Sequence, residues 1–324
     1  MHQLSYNKSY RIQVLRGLAI IAVVFIHNTP NGIAQIWCRP FLNYCVGLFL
    51  FLSGMLSCAE RWDPKKRILK IAIPYMIWTL VYVIIGKYKN PTQIPISYVK
   101  NLITAKSAAV MYYVFVYCEL TLLIPLIDKL ARSKYRWIGF LITPCEIIVM
   151  RLIPLMAGFE ANEYIRVIME ISCLGWFTYY YLGYLLGNGL IKIKAPSSRI
   201  LLMWICSIAL QILEGYWYIS MGDSNCGTQV KLTAVLSGVL ISLLAYQYLN
   251  SENTPTLKLL HNLGDISFGV FFSHLAVQSA LGQVSHYRKY IIYPFNAIVV
   301  IAITAICVVV GRKVFGKNSK YLAL

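Results

Sequence analysis

Apolar runs of about 20 residues recur from one end of this chain to the other, which is the length an α-helix needs to cross a bilayer's hydrocarbon. About ten such runs are legible, over residues 12–30, 41–58, 68–87, 108–127, 137–157, 168–188, 200–219, 231–249, 266–284 and 291–311. The longest gap between them, 88–107, is too short for a soluble domain. The pattern predicts an all-α polytopic membrane protein, organised as a single transmembrane domain over 1–324 with no appended soluble domain. Composition agrees: 58% of the residues are hydrophobic and the mean hydropathy is +0.62, where soluble chains have about 45–50% apolar residues. The first run is followed by His27, Asn28 and Pro30 rather than a small-residue cleavage site, so it reads as a retained span and not a signal peptide.

A net charge of +18 raises the question of nucleic acid. The distribution of the basic residues excludes it, because they sit in short segments between apolar runs and not along one face. With the N-terminus inside, the inner segments hold twenty Lys and Arg and the outer segments nine, with Arg151 inside a run. That excess predicts both termini on the cytoplasmic side. The polar stretch SENTPTLK at 251–258 reads as a turn between spans.

Of nine cysteines most fall inside predicted spans, with no CxxC and no Cys/His spacing suited to a metal. They read as small buried apolar groups. Cys38 and Cys226 lie in predicted outer loops, where pairing is left open.

Ionisable groups inside a membrane are expensive and point to function. Here they are His27, Glu119, Glu146, Arg151, Glu170, Glu214 and His274, with Arg16 and the Arg67/Lys70 pair at inner ends of spans. Arg16 and His27 bracket ten uncharged residues in RGLAIIAVVFIHN. Eleven residues of helix turn through about 1100° and rise about 16 Å, so the two side chains share one face at different depths. An interfacial anchor accounts for Arg16 alone, but not for the pair. Arg67 and Lys70 are i, i+3 neighbours at the start of the third span and, with Arg16, offer cations for phosphate groups. Ser53-Gly54 is a small-residue pair suited to close helix packing. Glu119 reads as a support for the site or a structural partner of Arg151 or a tyrosine, and His274 as structural or pore-lining.

The chain resembles the acyltransferase-3 family of bacterial integral-membrane acyltransferases. Arg16 and His27 fit that family's first-span pattern of a basic residue, ten residues and a histidine. Arg16-Gly17-Leu18-Ala19 matches its RGLA run, and Phe49 to Gly54 is similar to its FFxxSG segment. Arg67-Ile68-Leu69-Lys70, followed by Pro74-Tyr75, corresponds to an RxxR motif with lysine in place of the second arginine; lysine keeps the charge but loses the planar fork. YYLGYLLG at 180–187 and SFGVFFSH at 267–274 look like two further family segments.

The resemblance implies transfer of an acyl group, usually acetyl, from cytoplasmic acyl-CoA to a hydroxyl of an envelope glycan or a similar acceptor, in a bacterial inner membrane. Arg16, Arg67 and Lys70 would hold the charged end of the donor, and His27 would act as general base near neutral pH. Glu119 would support the chemistry, Ser53 and His274 would contact substrate, and an acyl-histidine route stays open. No metal or permanently bound cofactor is implied. The expected partners are acyl-CoA, a carbohydrate or lipid-linked glycan and the bilayer, with no nucleic acid. The rivals are a transporter, which ten spans with scattered intramembrane charges also suit, and a non-catalytic membrane partner.

Overall fold

The computed structural model describes residues 6–158, 163–251, 256–285, 287 and 292–324. Arg288, Lys289 and positions 252–255 of the SENTPTLK turn lie outside the described residues. Among the described residues all regular structure is helical. The chain divides into two compact units. One comprises Met1–Trp62, Leu123–Asn162 and Leu174–Asp265, the other Asp63–Leu122, Glu163–Cys173 and Ile266–Leu324.

The first unit is built on α1 (Tyr6–Asn28), α2 (Ile33–Cys38) and α3 (Cys45–Met55), then α7 (Ile124–Arg132), α8 (Ile142–Ile147) and α9 (Ile153–Ala157), and finally α11 (Phe177–Gly187), α12 (Ser197–Ser220), α13 (Leu232–Asn250) and α14 (Lys258–Asp265). Its spine is α3 against α11. A Cβ built on Gly54 would lie 2.1 Å from the Tyr180 carbonyl oxygen, one on Gly183 2.1 Å from that of Phe51, and one on Gly187 2.2 Å from that of Met55. Only glycine permits backbones that close. The tyrosines of α11 then use their hydroxyls as ties: Tyr180 to Ser57 Oγ at 2.8 Å, Tyr181 to the Arg136 carbonyl at 2.7 Å, and Tyr184 to Asp128 at 2.8 Å. The YYLGYLLG segment is thus explained by packing.

The second unit contains α4 (Pro64–Lys87), α5 (Ile94–Thr104), α6 (Tyr112–Leu122), α10 (Glu163–Ile171), α15 (Ser267–Leu281) and α16 (Phe295–Phe315). Asp63 caps α4 by accepting from the Lys66 N–H at 3.0 Å, and Pro64, which has no N–H to lose, opens the helix.

Among the described residues six segments are long and apolar enough to cross a membrane: Asn7–Asn28, Ile33–Met55, α4, α12, α13 and Phe295–Leu322; α6 and α15 are shorter apolar helices. Three stretches that read as spans are built from shorter pieces. The 108–127 run breaks at Leu123 because Pro125 sits in the first turn of α7. The 137–157 run passes through a 3-10 turn (Arg136–Phe140), α8, a π turn (Ile148–Leu152) and α9, which has Pro154 in its first turn. The 168–188 run breaks at the 3-10 turn Leu174–Trp176.

Candidate functional site

Helix α1 is continuous from Tyr6 to Asn28, so Arg16 and His27 keep the shared face and the rise of about 16 Å expected of eleven helical residues. Both are half-buried. His27 lies in the last turn, where carbonyls lose their intrahelical partners. Asn28 and Thr29 fold back onto this turn: Asn28 Nδ2 donates to the Val24 carbonyl at 2.8 Å and Thr29 Oγ1 to that of Phe25 at 3.1 Å. The end of the helix beside His27 is therefore fixed by side chains.

The other end of α1 is fixed by its neighbours. Helix α14 lies against it so closely that a Cβ on Gly17 would be 2.0 Å from the Leu260 carbonyl oxygen, and one on Gly264 1.8 Å from that of Gln13. The glycine after Arg16 is thus a contact point between two backbones. Tyr10 stacks on His261 with ring centroids 4.5 Å apart and planes at 13°. Arg11 is buried and donates to the carbonyls of Leu249 at 3.1 Å, Tyr248 at 3.5 Å and Ser251. Its guanidinium closes the C-terminal end of α13, where a cation suits both the free carbonyls and the helix dipole. Read from sequence, Arg11 is one more inner positive charge; nothing in the sequence distinguishes it from its exposed neighbours.

Helix α3 packs on α1 and carries Ser53. The Ser53 hydroxyl donates to the Phe49 carbonyl of its own helix at 2.9 Å.

In the second unit, α4 carries Arg67 and Lys70 and packs against α6 and α15, which carry Glu119 and His274. Glu119 Oε2 accepts from the Cys173 N–H at 2.7 Å, so a backbone amide meets the carboxylate of this apolar helix. His274 is fully buried, with Nδ1 2.9 Å from the carbonyls of Val270 and Phe271. Nδ1 therefore carries the proton and donates to its own helix. A tyrosine that sequence reasoning passes over sits beside it. The Tyr82 hydroxyl donates to the Phe272 carbonyl at 2.7 Å and accepts from the Ala276 N–H at 3.2 Å. Those two groups are i, i+4 partners, so Tyr82 bridges the α15 ladder around His274. With 24 tyrosines in the chain, no sequence signal marks this one.

Other charged side chains have structural partners. Arg151, in the π turn, pairs with Asp223 at 2.8 Å, donates to the Asn225 carbonyl at 3.1 Å, and lies 4.6 Å over the Tyr218 ring. Glu214 of α12 accepts from the Leu232 and Thr233 N–H groups at 3.2 and 3.0 Å and from the Thr233 hydroxyl, so it caps α13. Lys231, just before α13, is fully buried and donates to the Gln211 carbonyl at 2.8 Å and the Cys226 carbonyl at 3.4 Å. Cys38 and Cys226 are free thiols; Cys226 Sγ lies 3.7 Å from the Gly32 carbonyl oxygen.

Helical structure throughout the described residues, with several segments long and apolar enough to cross a membrane, defines a polytopic membrane protein. The sequence model of an acyltransferase domain matches residues 9–312, and the chain belongs to the acyltransferase-3 family. It is a membrane acyltransferase. No curated protein and no solved structure gives a match.

Proposed function

We propose that this protein transfers an acetyl or other short acyl group from cytoplasmic acyl-CoA to a hydroxyl of an envelope glycan in a bacterial inner membrane. The observation that carries the reading is the Arg16–His27 pair, on one face of one unbroken helix and about 16 Å apart in depth. A CoA-type donor has a charged nucleotide end and a long, thin neutral arm. Arg16 holds the phosphates at one depth, and the arm brings the thioester to His27 at the other.

At His27 the neutral imidazole takes the proton of the acceptor hydroxyl as its oxygen bonds to the thioester carbonyl carbon. The tetrahedral intermediate collapses by breaking the C–S bond. The ester leaves on the acceptor, and the CoA thiolate takes up the proton from the imidazolium or solvent. Glu119 supports this chemistry by holding the backbone at Cys173, while Ser53 and His274 border the substrate path. Fixation of both ends of α1, by Arg11 and α14 at one and by Asn28 and Thr29 at the other, supports the pair acting at a set separation.

Mass spectrometry of envelope glycans from cells with wild-type protein and with His27→Ala tests the proposal. A fixed acyl mass on one glycan, lost in the variant while the protein still accumulates and folds, is the expected result. An undiminished acyl mass in His27→Ala removes the base assignment, and unchanged acyl-CoA affinity in Arg16→Ala removes the donor assignment.

A further inference from the structure

The basic segment that opens α4 divides into two faces. Leu69, Met76, Leu80 and Ile84 are exposed, at 46%, 49%, 39% and 45%. On a helix turning about 100° per residue they form a single stripe. In a segment long and apolar enough to span the bilayer, an exposed apolar stripe with no protein over it faces lipid chains. Ile71, Pro74 and Tyr75 are buried on the other side.

Projected on that wheel, Lys65 and Lys66 stand about 60° and about 40° from the centre of the stripe, one turn below its first residue. Both are exposed. Arg67 stands about 140° away, in register with Ile71 and Pro74, and is half-buried. Adjacent cations of one motif-rich segment thus point in different directions. Asp63, bonded to the Lys66 N–H, fixes the first turn and with it this phase.

We propose that Lys65 and Lys66 seat the phosphate headgroup of an anionic phospholipid whose chains lie along the Leu69–Met76–Leu80–Ile84 stripe of α4. Chemistry sets the occupant: two ammonium groups at the membrane boundary call for a phosphate, and the apolar stripe continuous with them calls for the tails of the same molecule. Arg67 faces away from this lipid and stays with the protein interior. The inference rests on α4 crossing the membrane and not on the acyl-transfer reading.

The test reconstitutes the full chain into vesicles of phosphatidylcholine with a minor share of phosphatidylglycerol, extracts it in mild detergent, and measures retained lipid by mass spectrometry. Wild-type protein retains phosphatidylglycerol above its bulk share. Each lysine near a charged surface contributes about a five-fold preference, so Lys65→Gln/Lys66→Gln lowers the enrichment by more than ten-fold, and Lys65→Arg/Lys66→Arg restores it. Lys192→Gln/Lys194→Gln, which removes the same charge from an exposed turn, leaves it unchanged. Enrichment that survives the glutamine pair, or falls equally in the turn variant, overturns the proposal. So does complete displacement by excess glycerol phosphate, which carries the headgroup charge without the tails. Thermal melting of each variant in detergent identifies any that fail to fold; for such a variant Lys65→Gln alone, expected to lose about five-fold, replaces the pair.

Discussion

Gly17→Ala replaces one hydrogen with a methyl group, and the structure fixes where that methyl must go. Its carbon would sit 2.0 Å from the Leu260 carbonyl oxygen, 2.8 Å from the carbonyl carbon and 3.1 Å from Cα. A tolerable carbon–oxygen contact is about 3.3 Å. Helix α14 must therefore retreat by about 1.3 Å, and no side-chain rotation relieves a clash with backbone. Overpacking of this kind costs about 1–3 kcal/mol, partly offset by the gain of about 1 kcal/mol that alanine brings to a helix interior. The net loss is up to about 2 kcal/mol, or a melting decrease of up to about 8 °C. The same shift moves the helix that abuts α1 one residue after Arg16, and displacements near 1 Å cost about 100-fold in a positioned reaction. Melting and acyl-CoA affinity are both read on purified Gly17→Ala. Gly264→Ala, which presses the same pair of helices together at Gln13, should reproduce both effects. If Gly17→Ala melts with the wild type and binds acyl-CoA unchanged, the helices do not meet backbone to backbone and the argument is refuted.

Further outcomes follow from individual bonds. Arg11→Gln removes a buried cation from three carbonyls at the end of α13; bonds to charged groups contribute about 1.5–3 kcal/mol each, so denaturant midpoints fall clearly, and Arg11→Lys recovers part of the loss. Tyr82→Phe removes the hydroxyl bonded to both the Phe272 carbonyl and the Ala276 N–H, at a cost of about 1 kcal/mol, while kcat falls because the turn around His274 loses its tie to α4. Equal losses of stability and activity would make Tyr82 merely structural. Burial lowers the Lys231 ammonium to about 8, with Glu214 opposing. Between that value and the unfolded lysine's about 10.4 the unfolded chain binds more protons. Stability from this group therefore rises as pH climbs through that window, and the wild type should gain melting temperature relative to Lys231→Met between pH 7.5 and 9.5.

The most legible element was α1. Its information is one-dimensional: an uninterrupted apolar run, two polar ends and the turn of a helix suffice to relate Arg16 to His27. The 108–127, 137–157 and 168–188 runs were less legible, because hydropathy summed over a window does not register where an i→i+4 ladder stops. Pro125 and Pro154 do register it, but each sits where an uninterrupted span was the expectation. The glycines show a different limit. Gly17 and Gly54 were visible as members of RGLA and SG, and close packing was the expectation for the second. Which backbone each meets, Leu260 243 residues on and Tyr180 126 residues on, is set by tertiary structure.

Helix phase lies between these cases, and it bears most on how the basic segments should be understood. In KKRILK, spacing alone reads Arg67 and Lys70 as one pair of phosphate ligands. The burial pattern of α4 adds the direction of the protein. Arg67 lies on the side of Ile71 and Pro74, whereas Lys70 is exposed and about 80° from the centre of the lipid stripe. The two cations therefore do not share one environment. If Arg67 holds a donor phosphate and Lys70 only lies near the surface, Arg67→Gln should raise the acyl-CoA KM far more than Lys70→Gln does. Equal effects would return both residues to one site and show that the side chain of Lys70 reaches around the helix to it.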